Sequence, residues 1–286
     1  MHPDIAAFLH ADSNTWSYVA SDPATRIAAI IDPVLDFDAK SGRTATASAQ
    51  ALLGHVERHG LDVRWLLETH AHADHLSAAH WLKRQLPRAT LAIGAGIRAV
   101  QARFRPLFNA DFAIDGSQFD RLLEDGDVFE LGATTARVFA VPGHTPDSIA
   151  YLVGDALFTG DSLFMPDGGS ARCDFPGGDA ATLYRSIQRL FSELPDDTRV
   201  FVCHDYGPGG RDLRHATTLG EEKRSNIHLH SGIGEAEFVA TRTSRDATLP
   251  VPALLLPALQ VNLRGGALPE PEDNGVRYLK IPLDQL

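Results

Sequence analysis

The stretch VRWLLETHAHADHLSAAH, residues 63–80, joins an apolar run to a dense group of histidines. The run VRWLL is typical of a buried strand, which we expect to end at His70. His70 and His72 are two residues apart, so in extended backbone their side chains point the same way. Asp74 and His75 are predicted to begin the next helix and to face the same cavity. Because imidazole nitrogens and carboxylate oxygens bind transition metals, this stretch is a candidate metal site.

Composition and charge narrow the class of protein. The chain has 286 residues, of which 44% are hydrophobic and 22% charged, an ordinary globular composition. No apolar run approaches the roughly 18 residues that cross a bilayer, and the N-terminus lacks a signal-peptide pattern. With two cysteines and no disulfide framework, we expect a cytoplasmic protein. The formal net charge of −11 argues against nucleic acid as a partner, and no membrane partner is expected.

The pattern of apolar and polar residues predicts an α/β fold. Strands are predicted within residues 16–20, 26–32, 63–70, 90–94, 119–132, 134–143, 148–161 and 198–205. Helices are predicted within residues 44–60, 74–87 and 179–194. Because strand-rich and helical segments alternate in two comparable halves, we expect two packed sheets with helices outside.

The C-terminal part is predicted to be an appendage. Further helices are expected from about Thr217, followed by a Pro-rich end at residues 249–286. The apolar run at residues 254–259 would not stay exposed, so this end is predicted to lie on the core. We therefore expect a catalytic domain over residues 1–230 and a C-terminal extension over residues 231–286.

Three later motifs each place a metal-binding residue type where a predicted strand ends. His144 follows FAVPG, Asp161 follows ALFTG and His204 follows VFVC. Strand ends on one rim of a sandwich converge, and loops there present ligands from a rigid scaffold. Together with the first motif they supply five histidines and two aspartates, enough for one or two transition-metal ions.

The other histidines and the cysteines are mostly interpreted as structural or surface residues. These are His55, His59, His80, His228, His230 and Cys203. Cys173 is either a reactive thiol or, as we favour, a small buried residue.

The motif H-x-H-x-D-H at residues 70–75, with His144, Asp161 and His204 after it, resembles the metallo-β-lactamase superfamily. The resemblance covers about residues 16–227. It implies an αββα sandwich, an α/β fold with the metal site at one edge of the two sheets. The expected fold is therefore this sandwich with a helical and Pro-rich C-terminal extension.

Within that superfamily the segment after Asp161 resembles the persulfide dioxygenases, because Arg172, Asp174 and Phe175 match their Arg-x-Asp-Phe element. The C-terminal end looks like the tail of a bacterial branch, the β-lactamase-like hydrolases, which is linked to sulfide detoxification. The resemblance implies oxidation of glutathione persulfide by O2 and water to sulfite and glutathione. It also implies one Fe(II) per chain.

By the same resemblance, the iron has three protein ligands: His70, His144 and Asp161. Four residues that would be ligands in a dinuclear zinc hydrolase then line a second position, expected to be empty: His72, Asp74, His75 and His204. Catalytic roles fall to Asp74 and to Tyr206, which would hydrogen-bond a bound oxygen or sulfur species. Zinc is the expected substitute metal, since it exceeds Fe(II) in raw affinity.

The carboxylates of glutathione need cationic partners. Arg172 is the first choice, by resemblance and by its position after Asp161. Arg214, Lys223 and Arg224 are weaker candidates, because a single surface cation is more often simply solvated.

Two other functions stay open from the sequence. A dinuclear zinc thioesterase of the glyoxalase II type would use the same ligands to hydrolyse a thioester. A non-catalytic protein that senses metal or sulfide could also keep this fold. The oligomeric state is open as well, and a homodimer is compatible with the sequence.

Overall fold

The computed structural model describes residues 2–285. The strands are β1 (Asp4–His10), β2 (Thr15–Ser21), β3 (Ile27–Ile31), β4 (Val34–Asp38), β5 (Arg43–Ala45), β6 (Asp62–Leu67), β7 (Leu76–Ser77), β8 (Thr90–Gly94), β9 (Arg121–Leu123), β10 (Val128–Leu131), β11 (Thr134–Ala140), β12 (Ile149–Val153), β13 (Ala156–Phe158), β14 (Arg199–Phe201) and β15 (Ala216–Thr218). The helices are α1 (Ala47–Arg58), α2 (Ala79–Gln85), α3 (Ile97–Leu107), α4 (Ala180–Glu193), α5 (Leu219–Ser225), α6 (Glu235–Asp246) and α7 (Leu255–Asn262), with a 3₁₀ turn at Pro208–Gly210.

The strands form two large sheets and one small sheet. The first large sheet has the order β1-β2-β3-β6-β8-β9, and the second has the order β10-β11-β12-β13-β14-β15. The small sheet has the order β5-β4-β7. In the second sheet, β12 and β13 form the hairpin predicted from the sequence, which turns at Gly154 and Asp155. Gly154 has φ 59°, a left-handed conformation that glycine adopts without strain.

Alternating side chains along the strands build the core between the sheets. On β3, Ala29 and Ile31 belong to the inner core, whereas the alternate residues Ala28 and Ile30 pack with the outer helices. Across the two sheets, the rings of Tyr18 and Phe158 meet edge to face, with centroids 5.2 Å apart. Both faces of β3 are therefore buried, which explains its continuous apolar sequence.

Helices cover the outer face of each large sheet. Leu52 of α1, Leu82 of α2 and Val100 of α3 are buried in the apolar cluster outside the first sheet. Leu183 of α4 and Phe238 of α6 are buried in the cluster outside the second sheet. The layers run helix, sheet, sheet, helix, so the predicted αββα sandwich is confirmed.

The segment after β6 differs from the prediction. β6 ends at Leu67 rather than at His70. Asp74 and His75 lie in a loop, because the next two residues form β7 and pair with β4. Helix α2 begins only at Ala79. The helix predicted from residue 74 is therefore wrong at its start, since backbone hydrogen bonds to a distant strand outweigh local helix propensity.

The C-terminal extension, residues 231–286, contributes two helices that contact the rest of the chain. Helix α6 packs on α4, and α7 lies beside β7. Part of the predicted Pro-rich arm is thus helical, which is possible because Pro257 lies in the first turn of α7, where no backbone N–H is needed. The domain boundary at residue 230 stays a prediction. Among residues 2–285, no helix has both the length and the apolar character to cross a membrane.

Candidate metal centre

The first candidate ligand of each motif lies three or four residues after the end of a strand. His70 is three residues beyond β6, Asp161 three beyond β13, His204 three beyond β14, and His144 four beyond β11. β6 belongs to the first large sheet and the other three strands to the second. The loops meet at one edge of the sandwich, so the structure brings these four motifs together.

His70, His144 and Asp161 form what we call the first group. Asp161 Oδ2 lies 3.9 Å from His70 Nε2 and 3.7 Å from His144 Nε2. Atoms that bind one ion at about 2.1 Å lie about 3.0–3.5 Å from each other, so these separations approach those of a metal site. His70 Nε2 is buried and has no hydrogen-bond partner within residues 2–285. A buried nitrogen in that state is suited to bind an ion.

Hydrogen bonds on the far side of each ring orient the two histidines of the first group. His70 Nδ1 lies 3.0 Å from Thr69 Oγ1, which in turn donates to Asp32 Oδ2 at 2.9 Å. His144 Nδ1 donates to the Arg172 carbonyl at 2.7 Å. With the proton on Nδ1 in both rings, each Nε2 lone pair is left available for a metal ion.

Asp74, His75 and His204 form the second group, which shares Asp161 with the first. His204 Nε2 lies 3.1 Å from Asp161 Oδ1 and 3.3 Å from Asp74 Oδ2. On its other side, His204 Nδ1 donates to the Asn14 carbonyl at 3.1 Å. His75 Nε2 and Asp74 Oδ2 are buried without a hydrogen-bond partner in the described part of the chain. Asp161 therefore presents one oxygen to each group.

His72 is turned toward two buried carboxylates. Its Nε2 lies 3.1 Å from Asp32 Oδ1 and 3.9 Å from Glu68 Oε2. Burial alone would lower the pKa of His72, but the carboxylates of Asp32, Asp74 and Glu68 raise it to about 10. The ring stands beside that of His70, with centroids 4.0 Å apart. His72 is thus next to the first group while its Nε2 faces Asp32.

The charges of the centre suit a cation. Burial would lower the pKa of His204, yet Asp161 and Asp74 raise it to about 9. Burial would raise the pKa of Asp161, yet His204 holds that pKa well below its usual range. In contrast, burial and the neighbouring His72 lower the pKa of His75 to about 4. The carboxylates draw protons onto two imidazoles, and a divalent cation can take the place of those protons. The residues present therefore fit a metal ion.

A cavity of about 570 Å³ opens onto both groups. Four of the candidate ligands line it: Asp74, His144, Asp161 and His204. The lining also includes Phe164, Tyr206 and residues of the extension between positions 249 and 254. Tyr206 is 61% exposed, and its ring is nearly parallel to that of His204 at a centroid distance of 6.0 Å. A cavity of this size accommodates a small-molecule ligand.

Arg172 lines this cavity, as a substrate-binding residue would, but its guanidinium group is already hydrogen-bonded within the protein. Its Nε and Nη2 donate to the Asp174 carboxylate at 2.6 and 2.7 Å, and Nη1 donates to the Pro250 carbonyl at 2.7 Å. Arg245 of α6 also lines the cavity, and the sequence did not suggest it. Arg242 lines it as well, paired with Asp246, so the cavity has three arginines among its lining residues. Of these, Arg172 also ties the loop to the extension through the Pro250 carbonyl.

The other cations named from the sequence pair with acidic side chains elsewhere. Arg214 Nη2 lies 3.5 Å from Asp167 Oδ2, beside a separate surface cavity. Lys223 Nζ lies 2.6 Å from Asp196 Oδ1. Arg224 pairs with the carboxylate one turn before it on α5. These contacts place all three in surface ion pairs, which contribute little to stability.

Most of the remaining histidines and Cys173 occupy structural or surface positions. His55 and His59 stack on each other at the surface of α1, and His80 is exposed on α2. His228 is buried, and its Nδ1 accepts a hydrogen bond from a backbone amide. Cys173 is buried, and its burial raises the thiol pKa to about 12. A thiol with so high a pKa is unreactive near neutral pH.

Several residues that support the ligands were not predicted from the sequence to belong to the site. They are Asp32, Glu68, Asp147, Cys203, Asp246 and Asn262. Asp32 did leave a signal, because it follows β3 directly, as the ligands follow their strands. Cys203 was expected only in the core, yet its Sγ lies within 4.8 Å of ligand atoms of His72 and Asp161. Asn262 left no signal, because its contact depends on where α7 lies.

Helix α6 of the extension holds the segment that carries Arg172. Asp246 Oδ2 accepts from the Cys173 amide at 2.8 Å. Arg242 Nη1 donates to the Ser170 carbonyl at 3.0 Å, and its Nε donates to Asp246 Oδ1 at 2.8 Å. Both charged side chains are buried and paired, as buried charges require. The pair fixes the backbone on each side of Arg172, whose carbonyl orients a candidate ligand.

Comparison with known proteins gives matches over most of the chain. A family model described as the metallo-beta-lactamase superfamily matches residues 13–204. A probable metallo-hydrolase of Burkholderia pseudomallei is 54% identical over 294 residues, which is 99% of this chain and 99% of that protein. A beta-lactamase hydrolase-like protein of Agrobacterium fabrum is 56% identical over 99% of this chain, and the chain spans 65% of its length.

Two further matches carry the name ETHE1. The human mitochondrial persulfide dioxygenase ETHE1 is 32% identical over 256 residues, covering 89% of this chain and 85% of that protein. The crystal structure of ETHE1 from Myxococcus xanthus has a TM-score of 0.74 at 33% identity, covering 92% of this chain and 100% of that chain. Both similarities include more of the chain than the family model does.

Proposed function

Because the chain belongs to the metallo-beta-lactamase superfamily, we propose that it is a persulfide dioxygenase with one non-haem iron per chain. Its substrate is glutathione persulfide, which O2 and water convert to sulfite and glutathione. Similarity to the human and Myxococcus proteins named ETHE1, at 32% and 33% identity, supports the proposal. Such an activity would serve sulfide detoxification.

The observation that carries the proposal is the composition of the first group. It contains two histidines and one carboxylate, His70, His144 and Asp161, with ligand atoms within 4.8 Å of one another. His72 Nε2 faces Asp32 at 3.1 Å, whereas its Nδ1 is buried without a hydrogen-bond partner among residues 2–285. The choice of only two histidines for the iron therefore follows the resemblance to the persulfide dioxygenases. Two histidines and one carboxylate are typical of non-haem iron oxygenases. These three residues would hold the iron.

Bound iron would supply the redox chemistry that allows O2 to react with a sulfur anion. The overall reaction consumes one persulfide, one O2 and one water, and it yields one glutathione, one sulfite and two protons. The S–S bond breaks and three S–O bonds form. The two persulfide sulfurs together lose four electrons, which O2 accepts. The protein residues therefore need only to orient the reactants and to move protons.

Asp74 and Tyr206 are the residues that we assign to this proton handling. Asp74 lines the cavity, and its carboxylate can take up a proton released when water adds to the oxidised sulfur. Its Oδ2 lies 3.3 Å from His204 Nε2, a contact that holds the Asp74 carboxylate beside the cavity. The Tyr206 hydroxyl, beside the same ring, can donate a hydrogen bond to a sulfite oxygen.

Replacing Arg172 tests where the glutathione carboxylates bind. Arg172→Gln is expected to raise KM for the persulfide about tenfold, because a hydrogen bond to a charged group contributes about 1.5 kcal/mol. Iron content should stay unchanged, since His144 is oriented by the backbone carbonyl of residue 172. Arg214→Gln is the matched control, because Arg214 pairs with Asp167 away from the cavity. Steady-state O2 uptake measures both variants, and an equal KM in Arg172→Gln and wild type would remove Arg172 from the substrate site.

The function itself is tested by O2 consumption on protein reconstituted anaerobically with Fe(II). Anaerobic loading keeps the iron as Fe(II), and zinc is removed beforehand because it exceeds Fe(II) in affinity for such ligands. We expect one iron per chain by metal analysis, and one sulfite formed for each O2 consumed with glutathione persulfide. No O2 uptake at full iron occupancy would refute the proposal and favour a sensing role.

A dinuclear zinc thioesterase is the second candidate, and the position of Asp161 favours it. Its Oδ1 faces His204 at 3.1 Å, while its Oδ2 faces the first group, so Asp161 would help to hold both ions of a dinuclear centre. Several matched proteins are named as hydrolases, including the probable metallo-hydrolase of Burkholderia pseudomallei. Two zinc ions per chain, with hydrolysis of a glutathione thioester and no O2 uptake, would establish this alternative.

A further inference from the structure

We propose that Asn262, in helix α7 of the C-terminal extension, is a positioning residue for the metal-binding loop at residues 70–77. Its Nδ2 donates to the His72 carbonyl at 2.7 Å and to the His75 carbonyl at 2.8 Å. Its Oδ1 accepts from the Ser77 amide at 2.7 Å. The side chain is buried, so these three bonds face no competition from water.

The loop needs such a partner because its backbone has left the sheet. β6 ends at Leu67 and β7 begins at Leu76, so the peptide groups in between lie outside any strand ladder. A buried carbonyl without a partner is costly, and a carboxamide offers two donors and one acceptor in a single group. Asn262 thereby fixes the backbone at His72 and His75, and so holds in place the loop that begins with the candidate ligand His70.

Helix α7 is itself held firmly against the core. Leu259 and Leu263 are fully buried in the apolar cluster outside the first sheet. The Leu263 carbonyl accepts from Gln101 Nε2 of α3 at 2.9 Å. Just after the helix, Gly266 passes so close to β7 that a Cβ there would lie 2.8 Å from the Ser77 carbonyl. The amide of Asn262 therefore has little freedom to move, which a positioning residue requires.

The family model ends at residue 204, so this contact comes from outside the matched region. The extension thus positions the metal-binding loop, in addition to covering apolar surface. Asn262 acts on metal binding by the loop. This role of Asn262 is independent of the proposed dioxygenase reaction, because it requires neither iron nor turnover.

The chain provides a closely matched control in Gln260, on the same helix. Asn262 and Gln260 are each 5% exposed. Gln260 also makes three hydrogen bonds through its amide, from Nε2 to the Leu256 and Lys280 carbonyls and to Oε1 from the Lys280 amide. These partners belong to α7 and to the C-terminal segment. Replacing Gln260 therefore removes as many hydrogen bonds as replacing Asn262 does, but none of them is to the metal-binding loop.

The test compares Co(II) binding by the full-length wild type, Asn262→Leu, the milder Asn262→Ser, and Gln260→Leu. Thermal unfolding of each metal-free protein shows which variants fold. We expect every folded Asn262 variant to bind Co(II) at least tenfold more weakly and to show a shifted visible absorption band, as outer partners of metal ligands typically contribute 10- to 100-fold. Gln260→Leu should stay within about twofold of wild type, even with a similar fall in Tm. A folded Asn262 variant with wild-type affinity and spectrum, or a loss of affinity in Gln260→Leu equal to that in Asn262→Leu, would overturn the proposal.

Discussion

Asp161→Ala is expected to bind its metal ion more than about 100-fold more weakly than the wild type and to lose measurable turnover. Asp161 is the residue common to both groups, with Oδ2 facing His70 and His144 and Oδ1 facing His204. Even the loss of an outer hydrogen-bond partner typically costs 10- to 100-fold in metal affinity, so the loss of a ligand should cost more. Metal analysis after dialysis and O2 uptake with the persulfide measure the two effects.

Asp167→Ala is the control for this experiment. Asp167 lies six residues further along the same segment, and its carboxylate pairs with Arg211 near the surface. The control should keep its metal ion and most of its activity. Wild-type metal occupancy in Asp161→Ala would show that Asp161 is not a ligand, and would remove the basis for both proposed functions.

His144→Ala and His75→Ala should differ sharply if one iron is bound by the first group. His144→Ala removes one of three ligands, so we expect more than about a 100-fold loss of iron affinity. His75→Ala changes only the second group, where Asp74 and His204 remain, and should keep one iron per chain with at least about a tenth of the turnover. Metal titration under anaerobic conditions, followed by O2 uptake, gives the comparison.

The same pair of variants separates the two candidate functions. In a dinuclear hydrolase, each group holds one ion, so each variant should lose one of two ions and most of its hydrolytic activity. Equal losses of iron and turnover in His144→Ala and His75→Ala would therefore contradict the single-iron proposal. His80→Ala provides a neutral reference, because His80 is exposed on α2.

Much of the fold could be predicted because its signals are local. The continuous apolar run of β3 indicates that both faces of the strand are buried. Gly154 indicates the turn of the hairpin formed by β12 and β13. Helix α1 follows from its spaced apolar residues and ends before Gly60, which has the left-handed φ of 59° typical of a helix end. Such features depend on a few adjacent residues, so they can be recognised in the sequence.

The prediction missed β1 and α3 altogether. Other failures occurred where a distant partner overrides a local preference. Residues 74–78 have a helical pattern, yet β7 forms there because β4 offers backbone partners at Val34 and Leu35. The short strand β5 also depends on β4, with which it pairs. Strand propensity measures packing against neighbours more than an intrinsic preference, so these short strands have no reliable signal of their own.

The sequence by itself determined the kinds of ligand, their order and their place after strand ends, since these depend on residue type and local pattern. Only the tertiary structure decided how the ligands are divided and supported. His72 faces Asp32, Arg172 is held by Asp174 and Pro250, and Asn262 reaches the loop from α7. Most of these contacts join residues far apart in the chain, and which donor meets which acceptor is set by how the sheets and outer helices pack.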